Sequence, residues 1–192
     1  MTSLEMETQK ERSQMYSNLF EILSCILIIA TSGLIMLSKF YVVVFCEKTY
    51  ASAWLITPLL LISAIFNALS GFFESNYFLM RNTTAILKIT VIGTIINCIL
   101  NILLVPILGL QGAALATCAG FVYMTIHKMI GTRKFTPLHI NIKRFFIALF
   151  LISSQSIISI LVANNVIYFI GIIYVLVLLL LYKDIVLSVL KK

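Results

Sequence analysis

The chain has 192 residues, of which 61% are hydrophobic and only 11% are charged, and its mean hydropathy is +1.08. An average soluble domain has about 25% charged residues, and a soluble fold of this size could not keep so much apolar surface from water, so a water-soluble domain is excluded. The net charge of +7 does not indicate nucleic-acid binding, because the basic residues lie between apolar runs and not in a stripe beside stacking aromatic residues.

The apolar residues form long runs that predict an all-α integral membrane protein with about six transmembrane helices. Each run is close to the roughly 20 residues that a helix needs to cross the hydrocarbon core, and is too long for the alternating segments of about ten residues in membrane barrels. Residues 1–19 are predicted to form a polar cytoplasmic leader without a signal-peptide cleavage pattern, and residues 20–192 the membrane domain. The predicted spans are 20–38, 54–79, 86–104, 111–128, 145–163 and 166–182.

The positions of lysine and arginine predict that both termini are cytoplasmic. With the N-terminus inside, twelve of the fourteen basic residues fall on the cytoplasmic side, and only Lys39 and Lys48 fall outside, as the positive-inside rule requires. The longest cytoplasmic connection is then the basic stretch 128–144, which is interpreted as an ordinary inside loop or one lying partly along the headgroups. His127 lies directly before this stretch and His139 lies within it, and both are interpreted as interfacial residues.

No catalytic or cofactor-binding constellation is visible in the sequence. It contains no phosphate-binding glycine loop, no nucleophile elbow and no helix with two metal-spaced histidines. The four cysteines show no C-x-x-C spacing and are interpreted as small apolar residues; they are Cys25, Cys46, Cys98 and Cys118. We therefore expect no enzyme activity, no metal site and no cofactor.

Two polar stripes lie within the second and third predicted spans. Their members, spaced by four, three and four residues, are Ser63, Asn67, Ser70 and Glu74, then Thr90, Thr94, Asn97 and Asn101. This spacing places each set on one helical face, and polar groups within lipid point toward protein or water. Two interpretations stay open: hydrogen bonding between helices, worth about 0.6 kcal/mol per bond, which we favour, or a hydrophilic cavity for a polar substrate.

An ion pair is predicted at the cytoplasmic ends of the second and third spans. Glu74 and Lys88 lie near these ends, and a short hairpin at 81–84 joins the two spans. The pair is expected to fix the hairpin and not to move protons.

The stretch 101–120 predicts a tight outer turn followed by close helix packing. Pro106 is expected to end the third span, because proline has no amide donor and disfavours helix in the residue before it. Gly109 is expected to permit the turn. Gly112, Ala116 and Gly120 then recur every four residues, and such a stripe of small residues lets a neighbouring helix approach closely in lipid.

Several of these motifs occur together in one order. They are EKTYASAWLITPLL at 47–60, NYFLMRNTTAILK at 76–88, and an Asn-rich helix ending in Pro-x-x-Gly-x-x-Gly-Ala-Ala-x-Ala-Thr at 106–117. In this combination the chain resembles the C-terminal half of polysaccharide flippases of the Wzx type, within the multidrug/oligosaccharidyl-lipid/polysaccharide exporter superfamily. The last two spans match only in hydrophobicity, and the resemblance assigns no substrate-binding residue.

The resemblance implies a multi-pass protein of the bacterial cytoplasmic membrane that moves a lipid-linked oligosaccharide to the outer leaflet for cell-surface polysaccharide biosynthesis. Such flippases have two lobes and more spans than this chain. A C-terminal fragment, inactive without the missing N-terminal lobe or a partner chain, is therefore expected. The alternatives are a fragment of a peptidoglycan-precursor flippase or multidrug exporter, or a small membrane scaffold or assembly partner without a transport role.

Overall fold

A computed structural model describes residues 3–45, 54–136, 140–161 and 166–190. These residues form seven helices and no strand: α1 (Ser3–Phe45), α2 (Thr57–Leu79), α3 (Thr83–Leu108), α4 (Leu110–Phe135), α5 (Ile142–Leu161), α6 (Val166–Leu181) and α7 (Lys183–Leu190). Several residues singled out in the sequence lie outside the described ranges, namely Cys46, Lys48 and His139, together with the first part of the motif at 47–60.

Five of the described helices are long and apolar enough to cross a membrane. The qualifying stretches are Lys10–Ser38, Thr57–Leu79, Thr83–Leu108, Leu110–Lys134 and Ile142–Ile160. The all-α prediction is confirmed, and five such helices are typical of a multi-pass membrane protein. The sixth predicted span corresponds to α6, of which the structure describes 16 residues, from Val166 to Leu181; this described part is shorter than the roughly 20 residues that a spanning helix needs.

The first helix joins the predicted leader to the first predicted span without a break. It has 43 residues, which at about 1.5 Å per residue gives a length of roughly 64 Å. Its packing begins inside the leader, because Ser13, Tyr16 and Ser17 are buried and the Tyr16 hydroxyl donates to the carbonyl of Phe72 at 2.7 Å. The α1 helix is therefore continuous across residue 19.

The helices pack around two centres. In one, α4 lies along both α2 and α3, while α2 and α3 touch each other only slightly; in the other, α1 packs against α2, α5 and α6. The apolar core surrounds α1, where Phe20 stacks on Phe73 with ring centroids 5.6 Å apart. The third helix lies outside this core: only 6% of its most apolar stretch is buried, against 28–39% for the other four spans.

The third and fourth helices both extend beyond their predicted ends. The expectation that Pro106 ends the third span is wrong, because α3 continues through it to Leu108. Proline removes one donor from the last turns of the helix but does not stop it. The helix ends at Gly109, whose φ of +58° makes the turn into α4. The fourth helix then runs to Phe135, so much of the predicted loop 128–144 is helical.

Side-chain contacts bring four chain segments together at one end of the bundle. The early part of α1 meets the end of α2 through Tyr16 and Ser75, whose hydroxyl oxygens are 3.2 Å apart. The start of α5 meets α7 through Arg144 and Asp184, at 3.5 Å. The guanidinium of Arg144 also lies 5.8 Å from the ring centroid of Tyr182, a buried residue.

Candidate functional site

The strongest concentration of buried polar side chains lies between α2 and α4. We call it the polar seam and define it by Ser70, Glu74, Asn76 and Tyr77 of α2 with Thr125, Lys128, Thr132 and Thr136, the last directly after α4. The α4 members are spaced by three, four and four residues and so share one face. That shared face is turned toward α2.

A buried ion pair forms the centre of the polar seam. The ammonium nitrogen of Lys128 lies 2.7 Å from a carboxylate oxygen of Glu74 and donates to the hydroxyl of Ser70 at 3.0 Å. The Lys128 side chain is 3% exposed and that of Glu74 is 28% exposed. Removing an ammonium from water is costly unless it is paired and hydrogen-bonded, and these two contacts supply that compensation.

Hydrogen bonds continue along the seam on both sides of the ion pair. Toward the middle of the helices, the Thr125 hydroxyl donates to the carbonyl of Phe66 at 2.7 Å. Toward the helix ends, Asn76 donates to the Thr136 hydroxyl at 3.2 Å, and the Tyr77 hydroxyl donates to the carbonyl of Lys128 at 3.3 Å. These bonds fasten α4 to α2 in the manner of hydrogen bonds between membrane helices.

The predicted pairing of Glu74 with Lys88 is wrong. Lys88 is exposed at the start of α3, whereas Glu74 is paired with Lys128 of α4. The hairpin between α2 and α3 includes Arg81 at a φ of +53°, and α3 leaves it to pack mainly on α4. The helix adjacent in sequence is therefore not the helix that α2 faces.

The polar stripe of α2 is divided by the structure. Ser70 and Glu74 belong to the polar seam, whereas Ser63 is buried, donates to the carbonyl of Leu59 in its own helix at 2.9 Å and also hydrogen-bonds with the Cys118 side chain of α4. Asn67 is exposed. The structure thus brings two of the four predicted residues into the polar seam, together with Lys128, which the sequence places at the boundary between the fourth predicted span and the stretch 128–144.

The polar stripe of α3 forms no hydrogen bond to another helix within the described residues. The Thr94 hydroxyl donates to the carbonyl of Thr90 at 2.9 Å, and the Asn101 amide donates to the carbonyl of Asn97 at 3.0 Å. Thr94 is exposed, and the other three side chains are half-buried. Asn97 packs against Gly120 of α4, but the hydrogen bonds of this stripe do not join the two helices.

The small residues of α4 lie where α3 approaches most closely. The carbonyl of Leu104 leaves no room for a Cβ atom at Gly112, and a Cβ at Gly120 would lie 3.1 Å from the carbonyl oxygen of Gly93. Ala116, between them, is fully buried. The sequence analysis did not single out Gly93. Its position inside a helical pattern could have indicated this contact, because a glycine there often marks close helix packing.

A second buried polar contact, between α1 and α5, was also missed from the sequence. The Ser32 hydroxyl donates to the side-chain oxygen of Gln155 at 2.7 Å, and the Gln155 amide donates to the Ser32 carbonyl at 3.0 Å. Both side chains are buried. Gln155 could have indicated this contact, because it lies within an apolar predicted span and a glutamine in lipid needs a polar partner.

Across the described ranges, no group of three histidine, cysteine or acidic side chains is arranged to hold a metal ion. The described cysteines, Cys25, Cys98 and Cys118, are free thiols. The hydrogen bonds between buried polar groups of different helices support helix association. Comparisons of the chain with known protein families, with curated proteins and with solved structures gave no match.

Proposed function

We propose that this chain is part of a flippase that moves a lipid-linked oligosaccharide across the bacterial cytoplasmic membrane for cell-surface polysaccharide biosynthesis. Both termini are cytoplasmic in this proposal, as the distribution of basic residues indicates. The proposal combines the resemblance to Wzx-type flippases with one observation, the polar stripe of α3.

The stripe on α3 supports the proposal because, within the described residues, it forms no hydrogen bond to another helix. Asn97 and Asn101 are half-buried, and the hydrogen bonds of Asn101 end within α3. An amide has two donors and an acceptor with two lone pairs, and hydrocarbon satisfies none of them. Interhelical hydrogen bonding accounts for the α2–α4 seam but leaves the α3 stripe unexplained, so the cavity interpretation is the better one for α3.

A hydrophilic space beside α3 would suit an oligosaccharide. Sugar hydroxyls donate and accept hydrogen bonds, and so do the amides of Asn97 and Asn101. The remaining wall of that space requires another membrane segment, either a second lobe or a partner chain. The low burial of α3, 6% over its most apolar stretch, is consistent with a helix that borders such a segment.

The ion pair of the polar seam has a structural role in this proposal. Lys128 is 3% exposed and held by both Glu74 and Ser70, so its ammonium is not available to a saccharide. It fixes α4 on α2 and thereby supports α3, which packs mainly on α4.

The test replaces Asn97 and Asn101 together with leucine in the bacterium that makes the protein. We expect surface polysaccharide to fall and the lipid-linked oligosaccharide to accumulate on the cytoplasmic leaflet, with the amount of the protein unchanged. Ile99→Leu is the matched control, since Ile99 is an exposed apolar residue of the same helix, and it should leave both quantities unchanged.

Two outcomes would contradict the proposal. Deletion of the gene without any effect on surface polysaccharide would exclude the function altogether. If deletion of the gene instead lowered the amounts of other membrane proteins of polysaccharide synthesis, without accumulation of lipid-linked oligosaccharide, the result would favour a role for this chain as an assembly partner.

A further inference from the structure

An apolar cavity lies between α4 and α5, which make no extensive contact with each other in the described chain. Its volume is about 170 Å³, and it is lined by Val122 and Met129 of α4, by Ile142, Phe146 and Leu149 of α5, and at its base by Phe73. We call it the α4–α5 cavity. The two helices that form its walls are held apart because each packs on α1 or α2 instead.

The cavity is open toward the surroundings of the bundle. Phe146 on its α5 wall is 63% exposed, and Ile126 on its α4 wall is 43% exposed. An apolar cavity of about 150 Å³ in a protein stays free of water and accepts apolar molecules. For a chain embedded in a bilayer, the apolar group that reaches such an opening is a lipid acyl chain.

Basic side chains stand at one end of the cavity on both of its walls. Arg133 follows Met129 by four residues on α4, and Lys143 precedes Phe146 by three residues on α5, so each is a surface neighbour of a lining residue. Both are exposed. Neither takes part in the ion pairs formed among the described residues, whereas Arg144 is paired with Asp184.

We infer that the α4–α5 cavity binds an anionic phospholipid, with an acyl chain between the helices and the phosphate between Arg133 and Lys143. Basic pockets between membrane helices bind anionic headgroups. The apolar walls and the two cations at their end complement the two parts of such a lipid, whereas a zwitterionic lipid would bring its own cation to the same place. The inference depends only on the chain being membrane-embedded, and not on the proposed function.

The experiment places a fluorescent reporter at the opening of the cavity. The full chain carries Trp54→Phe, which removes its single tryptophan, and Phe146→Trp. It is reconstituted into phosphatidylcholine vesicles in which either phosphatidylglycerol or phosphatidylcholine is brominated in its acyl chains, and quenching is compared at equal bromine content. We expect phosphatidylglycerol to bind at this position at least about fivefold more tightly than phosphatidylcholine, which is the order expected from one juxtamembrane cation.

Variants separate the headgroup contact from the acyl-chain contact. The double substitution Arg133→Gln with Lys143→Gln should remove the preference, and Lys88→Gln, which changes an exposed lysine outside the cavity lining, should keep it. Val122→Phe, which fills the cavity, should reduce quenching by both lipids. Native mass spectrometry of the chain without the reporter should show retained phosphatidylglycerol that the double variant loses.

Equal quenching by the two lipids in the reporter chain would overturn the inference. A preference that survives the double substitution would do the same, because the phosphate would then not lie between these residues. Unchanged quenching in Val122→Phe would exclude an acyl chain within the cavity.

Discussion

The ammonium of Lys128 lies 2.7 Å from the carboxylate of Glu74, a residue 54 positions earlier in the sequence. The two partners are not equally buried, since the side chain of Lys128 is 3% exposed and that of Glu74 is 28% exposed. The pair is therefore asymmetric. The buried ammonium of Lys128 depends on Glu74 to offset its loss of hydration, whereas the carboxylate of Glu74 remains partly exposed. This asymmetry has a measurable consequence.

Removing the acid should cost more stability than removing the base. Glu74→Gln leaves a buried ammonium without its counter-charge, and we expect a loss of about 3 kcal/mol, as for other broken buried pairs. Lys128→Met leaves a carboxylate that is partly exposed and fills the space of the lysine stem with an apolar chain, so we expect about 1 kcal/mol. Unfolding in mixed micelles with increasing dodecyl sulfate, followed by circular dichroism, gives both values.

Lys88→Gln is the control for that comparison, because the sequence alone suggested Lys88 as the partner. It should change the free energy of unfolding by less than about 0.5 kcal/mol, as exposed substitutions do. A larger loss for Lys128→Met than for Glu74→Gln would show that the carboxylate, and not the ammonium, depends on the pair.

Close packing of α3 on α4 predicts a contrast among glycine substitutions. Gly112→Ala places a Cβ atom against the carbonyl of Leu104, and we expect a loss of about 1–3 kcal/mol, the usual cost of overpacking. Gly71→Ala meets no atom within 4 Å and should stabilise α2 by up to about 1 kcal/mol, because alanine has the higher helix propensity. The same micelle titration measures both, and equal effects would contradict the packing of the two helices.

The contact between Ser32 and Gln155 should appear as a coupling energy in a double-mutant cycle. Ser32→Ala removes the hydroxyl bond but leaves the bond from the Gln155 amide to the backbone carbonyl. Gln155→Met removes both bonds at similar volume. We expect a coupling of about 0.6 kcal/mol and below about 1.7 kcal/mol, the range found for polar pairs in a membrane protein. Additive effects of the two substitutions would show that the hydroxyl bond contributes nothing.

The proposed orientation predicts opposite labelling of the two ends of α4. In a chain whose cysteines are replaced, Arg133→Cys should react with a membrane-impermeant maleimide only from the cytoplasmic side, and Leu110→Cys only from the outer side. Both residues are exposed. Intact cells and inside-out vesicles provide the two conditions, and the reverse pattern would contradict the positive-inside assignment.

The length of the hydrophobic runs was sufficient to predict the helices. A chain segment within lipid must form all its backbone hydrogen bonds internally, and a long apolar segment does so as a helix. The turn at Gly109 was also predictable from the sequence, because a glycine shortly after a proline at the end of an apolar run favours a turn. The predicted ends of the helices were less accurate where polar residues lie on a buried helix face. Ser13, Tyr16 and Ser17 of α1 were included in a leader, and Thr132 of α4 in a loop, because their polarity hid their helical spacing.

The partner of Glu74 could not be predicted for a different reason. Periodicity identifies which face of a helix is polar, but it contains no information on which helix lies opposite. Glu74 and Lys88 are close in sequence across a short hairpin, so that pairing was the simplest expectation. The packing of α4 against both α2 and α3 supplies Lys128 instead, and only three-dimensional contacts reveal this.

The unbroken α1 helix extends rigidly on the N-terminal side of its packed part. Residues 10–12 are exposed and Ser13 is buried, and the helix begins ten residues before Ser13, at Ser3, a length of about 15 Å at 1.5 Å per residue. Because no turn separates these ten residues from the part packed in the bundle, a change of about 10° in the tilt of the packed part displaces the start of the helix by about 3 Å. A label near Lys10 would thus report on rearrangements that take place within the membrane.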